Sequence, residues 1–357
     1  MLKGQIKSAI EFHAKEGIKI SMVTIKDISK KANVSIATVS KVLNGDYSRV
    51  SDATKEKILK IAREMNYIPN RLARGLVSNH THILGLIVSD ITNPFFAEMA
   101  KGVEDKAAKC GYNVILCNTD DDMGREAAYI NVLLQYNVDG VIITSSAISD
   151  NQHILKLRDS NTPFVSIDRY IDDDTYSAFL DNFKGSYIAA EYIIKKGHER
   201  IAYIGGDVML KVPNQRLEGY YKALDDYGIE RDEKLVRIGT YHVESGYNDA
   251  CALLNSGCKF TAVVCGNDLI ALGVARAIRE HGLHIPDDIS IIGYDNIYLS
   301  TLMDPPLTTI KQPIYDMGDH AVDIIIRLIN GEQIDEKIHY FIPELVERQS
   351  VRQLTLV

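Results

Sequence analysis

The stretch VSIATVSKVLNG, residues 34–45, decides how the first part of this chain is read. It is rich in β-branched residues, as strands are, yet Val39, Val42 and Leu43 recur at helical spacing. The flanking sequence favours a helix. Upstream, VTIKDISKKAN places Thr24 three residues before Asp27, the form of a capping box, ahead of a helix with Ile25, Ile28 and Ala32 on one face. Ala32-Asn33-Val34 interrupts that pattern, Ser35 can cap a second helix, and Asn44-Gly45 can close it. A third start at Ser51-Asp52 leads into Ile58, Ala62 and Met65. This order is that of a helix–turn–helix. Residues just past the start of its second helix face the major groove of DNA, and hydroxyls such as Ser35, Thr38 and Ser40 reach phosphate oxygens.

The charge distribution points the same way. The 357-residue chain has a net charge of −8, but residues 22–80 hold 11 Lys/Arg against 5 Asp/Glu. A basic head on an acidic body suits a polyanion partner, although a run of lysines is more often a plain solvated face. The length implies more than one domain. The sequence shows neither a membrane-length apolar run nor a signal-peptide core, and the five cysteines are odd in number with no C-x-x-C pair. A cytoplasmic protein with reduced thiols and no membrane partner is expected.

VTIKDISKKANVSIATVSKVLNG, with NYIPNRLARGL after it, resembles the headpiece and hinge of the lactose-repressor/galactose-repressor family of bacterial transcription regulators. The match is nearly position by position over residues 23–78. It implies that Ile36, Ala37 and Lys41 read bases, with Lys41 where arginine is common. Thr24, Ser35, Thr38, Ser40 and Asn44 would hold the DNA backbone. Ile36 and Ala37 offer only apolar contact, for instance with thymine methyls, and the competing reading is that they pack inside the head. In the hinge, the resemblance brings Asn70, Arg71 and Ala73 to the DNA and makes Leu76 a minor-groove wedge. By its residues alone, the segment would be a short, marginal helix or an ordinary linker.

From residue 83 onward, apolar runs alternate with helical patterns: ILGLIVSD, NVILCN, GVIITS and FVSID, then IAYIGG, AVVCG and ISIIGYD. Such alternation predicts parallel sheets flanked by helices, in two lobes. Polar residues collect after the strands, where open parallel sheets bind ligands. This part resembles the periplasmic sugar-binding fold shared by the repressor family, best its ribose-type members, through NPFF, IDR, QR, GND and GYD. The resemblance carries ligand contacts onto Asp90, Asn93, Phe95, Phe96, Asp168, Arg169, Arg216, Tyr241, Asn267, Asp295 and Gln312. Singly, each has a bland reading: Asp295 as a helix cap, Phe95 and Phe96 as core. Leu210-Lys211-Val212 lack the arginine and threonine that purine-responsive members use.

The expected fold is therefore α + α/β. Residues 1–22 form an N-terminal extension, of which 1–21 are expected to be dispensable for DNA binding. The helix–turn–helix head spans 23–67, the hinge 68–81, and the two-lobed domain 82–357. Lobe 1 covers about 82–180 and 313–342, lobe 2 about 181–312 and 343–357. The expected function is a DNA-binding repressor controlled by a small sugar, a pentose over a purine, and acting as a homodimer. The tail RQSVRQLTLV is too short for a tetramerising heptad helix. Another ligand or a phosphorylated carrier protein as the controller is the alternative. A transport binding protein is opposed by the helix–turn–helix. An enzyme is opposed by the lack of a P-loop, H-E-x-x-H or G-x-S-x-G motif. No cofactor or metal is expected.

Overall fold

The computed structural model describes residues 23–67, 80–145 and 152–354. They fall into two compact units, one on each side of the hinge segment. The extension at 1–22 and most of the hinge, with Asn70, Arg71, Ala73 and Leu76, lie outside the described residues.

The first unit is three helices: α1 (Ile25–Ala32), α2 (Ile36–Leu43) and α3 (Asp52–Glu64). The opening stretch is thus helical, because Val39 and Val42 join Ile28, Ala32, Ile58, Ile61 and Ala62 in one small core. The turn needs Asn33 in the left-handed region at φ 53°, a conformation asparagine tolerates. Ser35 Oγ accepts from Thr38 N at 3.1 Å, capping α2. Asp27 accepts from the backbone amide of Thr24 at 2.9 Å and from its hydroxyl at 2.6 Å. Met65 is the C-cap of α3 rather than part of its helical face.

The second unit holds two six-stranded sheets. Sheet 1 is built from β1 (Ile83–Val88), β2 (Asn113–Asn118), β3 (Gly140–Ile143), β4 (Phe164–Ile167), β5 (Tyr176–Leu180) and β11 (Ile338–Phe341). Its order is β11-β5-β4-β3-β1-β2, with every pairing parallel. Sheet 2 comprises β6 (Ile201–Gly205), β7 (Val236–Ile238), β8 (Ala262–Cys265), β9 (Ser290–Asp295), β10 (Thr308–Lys311) and β12 (Glu344–Val346). Its order is β12-β10-β9-β8-β6-β7, parallel except for β12 against β10. The chain passes between sheets after Leu180, after Lys311 and after Phe341.

Helices cover both faces of each sheet. In lobe 1, α4 (Pro94–Lys109), α5 (Met123–Gln135) and α6 (Gln152–Asp159) are joined by α12 (Ile314–Ile329), which returns from lobe 2. Met99 and Val103 of α4 meet Met317, Ala321 and Val322 of α12 in one core. The two helices approach so closely that a Cβ on Gly102 or Gly318 would strike the other helix's backbone. Lobe 2 carries α7 (Asn182–Lys195), α8 (Lys211–Asp226), α9 (Val243–Asn255), α10 (Asp268–Glu280) and the single turn α11 (Leu299–Leu302). No described helix is long and apolar enough to cross a membrane.

In each sheet the strand order reverses beside the first strand, between β1 and β3 and between β6 and β8. Those crevices at the carboxyl ends of the strands are where such sheets hold ligands.

Candidate functional site

In the head, the buried face of α2 leaves its other face outside. Ile36 is 45% exposed, and Ala37 and Lys41 are exposed as well. The packing alternative for Ile36 and Ala37 therefore fails: neither is in the core. Lys41 Nζ lies 3.6 Å from Asp46 Oδ2, both half-exposed. Ser40 Oγ accepts from Asn44 Nδ2 at 3.4 Å, and Ser35 Oγ lies 2.8 Å from Thr38 Oγ1. Small hydroxyls, one cation and an apolar tip thus share an accessible helix face.

In the second unit, a cavity of about 810 Å³ opens between the lobes and is lined by all eleven residues singled out for ligand contact. Lobe 1 supplies Asp90 after β1, Asn93 at the cap of α4, Phe95 and Phe96 in its first turn, and Asp168 and Arg169 after β4. Lobe 2 supplies Arg216 from α8, Tyr241, Asn267 after β8, and Asp295 at the end of β9. Gln312 follows β10 at the second crossing. The cap geometry explains two placements: Asn93 Oδ1 accepts from Phe95 N at 3.0 Å, and Asn267 Oδ1 from Ile270 N at 2.8 Å.

Arg216 is the centre of the polar floor. It is 3% exposed, its Nε donates to Asn182 Oδ1 at 2.8 Å, and its Nη1 donates to Gly266 O at 2.6 Å. Its guanidinium stacks 3.8 Å from the Tyr294 ring. Asp295 Oδ1 takes Gln312 Nε2 at 2.6 Å and faces Arg216 Nη1 at 3.6 Å. Burial pushes the Asp295 carboxyl up to about 7, against the opposing pull of Arg216. Burial raises Asp168 in the same way. Among the described residues, Gln312 Oε1 and the Tyr241 hydroxyl are buried without a hydrogen-bond partner. Asp168 and Asp295 both adopt positive φ, 64° and 105°, a strained backbone of the kind that collects at ligand sites.

The arrangement offers carboxylate acceptors beside guanidinium donors, and two aromatic rings packed edge to face at 5.1 Å.

A family description, "periplasmic binding proteins and sugar binding domain of LacI family", matches residues 81–343, and "bacterial regulatory proteins, lacI family" matches residues 24–70. The chain belongs to the LacI family. It is a DNA-binding transcriptional repressor with a sugar-binding domain, in a family of regulators rather than enzymes. Among its LacI-family relatives, the HTH-type transcriptional regulator RegA of Clostridium saccharobutylicum is 38% identical, covering 92% of this chain and 98% of that protein. The repressor PurR of Vibrio atlanticus is 36% identical, over 93% of this chain and 100% of its own. Of solved structures, the lac repressor dimer bound to operator and an anti-inducer superposes with a TM-score of 0.82 at 30% identity, over 92% of this chain and 99% of that one. A LacI-family regulator from Enterococcus faecium with bound ribose gives 0.71 at 32% identity, over 76% of this chain and 100% of that one.

The sequence reading of this LacI-family cleft missed several of its walls. Asp121 accepts from Arg169 Nη1 at 2.8 Å, and Lys211 Nζ stands 3.2 Å from the centroid of the Tyr170 ring, a contact from lobe 2 to lobe 1. His242 Nδ1 reaches across to 4.0 Å from Asp90 Oδ2. The run TDDD at 119–122, directly after a strand, was an available signal for Asp121. The Lys211–Tyr170 pair had none, because it joins residues of different lobes.

Proposed function

We propose that the interlobe cleft binds a monosaccharide, a pentose rather than a purine, and that this ligand releases a homodimer from its operator. The observation that carries the reading is the bracket at Asp295. Its Oδ1 holds both Gln312 and Arg216, while among the described residues nothing donates to Oδ2. A sugar hydroxyl can donate to that oxygen, and its neighbour can meet the idle Gln312 Oε1 or Tyr241 hydroxyl. Apolar sugar faces suit Phe95 and Phe96. The run Leu210-Lys211-Val212, which lacks the arginine and threonine that purine-responsive members use, favours a sugar over a purine. Support for ribose-type chemistry comes from the ribose-bound relative, and the operator-bound lac repressor dimer supports two-fold binding.

In the head, Ile36, Ala37 and Lys41 read bases, while Thr24, Ser35, Thr38, Ser40 and Asn44 grip phosphates. The hinge positions Asn70, Arg71, Ala73 and Leu76 complete the contact. The test is a gel shift of operator fragments by the full-length protein, with a thermal-shift screen of monosaccharides and purines. A pentose that both raises the melting temperature and weakens operator binding is expected. Guanine or hypoxanthine acting in its place refutes the sugar assignment.

A further inference from the structure

We infer that the cleft selects uncharged or cationic sugars and rejects phosphorylated and other anionic ones, an inference that rests on the sugar reading above. The charge on its walls is lopsided. Asp90, Asp120, Asp121, Asp168, Asp207 and Asp295 line the cavity, against Arg169, Lys211 and Arg216. With Asp295 protonated and Asp120 paired with Arg125, carboxylates still outnumber cations.

Each cation is also already engaged. Arg169 lies on Asp121, and Arg216 is held by Asn182, the Gly266 carbonyl and Asp295. Lys211 sits over the Tyr170 ring. The imidazole of His242 stands nearest the Asp90 carboxylate.

Two of the helix N-termini that meet the cleft, those of α4 and α10, have part of their backbone anion site already filled. Pro94 brings no N–H to the first turn of α4, while α8 and α9 begin without a side-chain cap. Phe95 N in α4 and Ile270 N in α10 are taken by the caps Asn93 and Asn267. A phosphate entering here must leave water for a cavity of like charge, where each cation among the described lining residues is already engaged. A hydroxyl or an ammonium group has the opposite prospect, since each donates to carboxylates that already face the space.

Calorimetry and thermal shift on the full-length protein test this with matched pairs: ribose and ribose 5-phosphate, glucose and glucose 6-phosphate, glucosamine, and inorganic phosphate. In any pair with a binder, the phosphorylated member is expected to bind at least tenfold more weakly, equivalent to about 1.4 kcal/mol. Millimolar phosphate is expected to leave the melting temperature unchanged. A phosphorylated sugar that binds as tightly as its parent overturns the inference. Asp121→Asn, which frees Arg169, should narrow the gap within a pair; an unchanged gap counts against the charge argument. If no sugar of either kind binds, the sugar reading falls, and phosphate alone then decides: protection by phosphate overturns the charge inference, and its absence supports it.

Discussion

Asp295 shows how one residue ties stability to ligand chemistry. Its carboxyl titrates near 7 in the folded chain against an ordinary value of 3.8. A carboxyl raised in this way holds its proton more tightly folded than unfolded. Its contribution to stability is complete below pH 4 and is lost as pH rises toward 7. Asp295→Asn removes that loss, and asparagine tolerates the positive φ as aspartate does. Melting curves of the variant and the parent should coincide near pH 4 and separate by pH 8, the variant being more stable by on the order of 2–4 kcal/mol. The same variant should lose the effector response, because an amide NH2 replaces one of the two acceptor oxygens. In the head, Lys41→Ala should cost roughly 1–3 kcal/mol in operator binding and relax discrimination at one base pair of each half-site. Binding measured on an operator series with single substitutions checks this; equal weakening on every sequence would place Lys41 on a phosphate.

Among elements, α2 depends on its cap. Ser35→Ala deletes the acceptor for Thr38 N and should destabilise the head by about 0.5–2 kcal/mol, seen as a lower midpoint in urea denaturation of the head's transition. Of the strands, those read from sequence were mostly apolar runs with turn signals after them. β5, β7, β10, β11 and β12 were not read. β7 and β12 are three residues each, too short for a periodic signal. β5 and β10 carry polar residues that are nonetheless fully buried: Ser177, Thr308 and Thr309. Ser177 Oγ bonds Thr175 O at 2.9 Å, and Thr309 Oγ1 bonds Asp268 Oδ1 at 2.6 Å. Their partners make burial affordable, and those partners are visible only in three dimensions. Asp268 also explains a glycine. Its carboxylate lies where a Cβ on Gly293 would sit, and it accepts from Ile297 N at 2.9 Å, pinning the loop after Asp295.

For the whole molecule, the sign of charge differs between its parts. The basic head should make operator affinity fall about 10³-fold or more between roughly 50 and 200 mM salt, if six or more phosphates are contacted. Sugar affinity of the DNA-free protein should barely change over the same range, because its proposed ligand is uncharged. Titrations of both ligands across the salt series separate the two behaviours. Linkage adds a constraint: a sugar that weakens operator binding by some factor must itself bind more weakly to the operator complex by that factor.

The sequence by itself determined the local grammar: caps, helical periodicity and apolar runs are short-range signals, and they located the head, seven of the strands and the polar residues at strand ends. Family resemblance, also carried by the sequence, supplied the cleft residues. Tertiary structure decided whatever depends on two segments meeting. It placed Ile36 and Ala37 outside the head's core, set Lys211 on Tyr170 across the lobes, and buried Arg216 between Asn182 and the Gly266 carbonyl. It also gave Asp295 its raised carboxyl, since desolvation is a property of the surroundings and not of the residue.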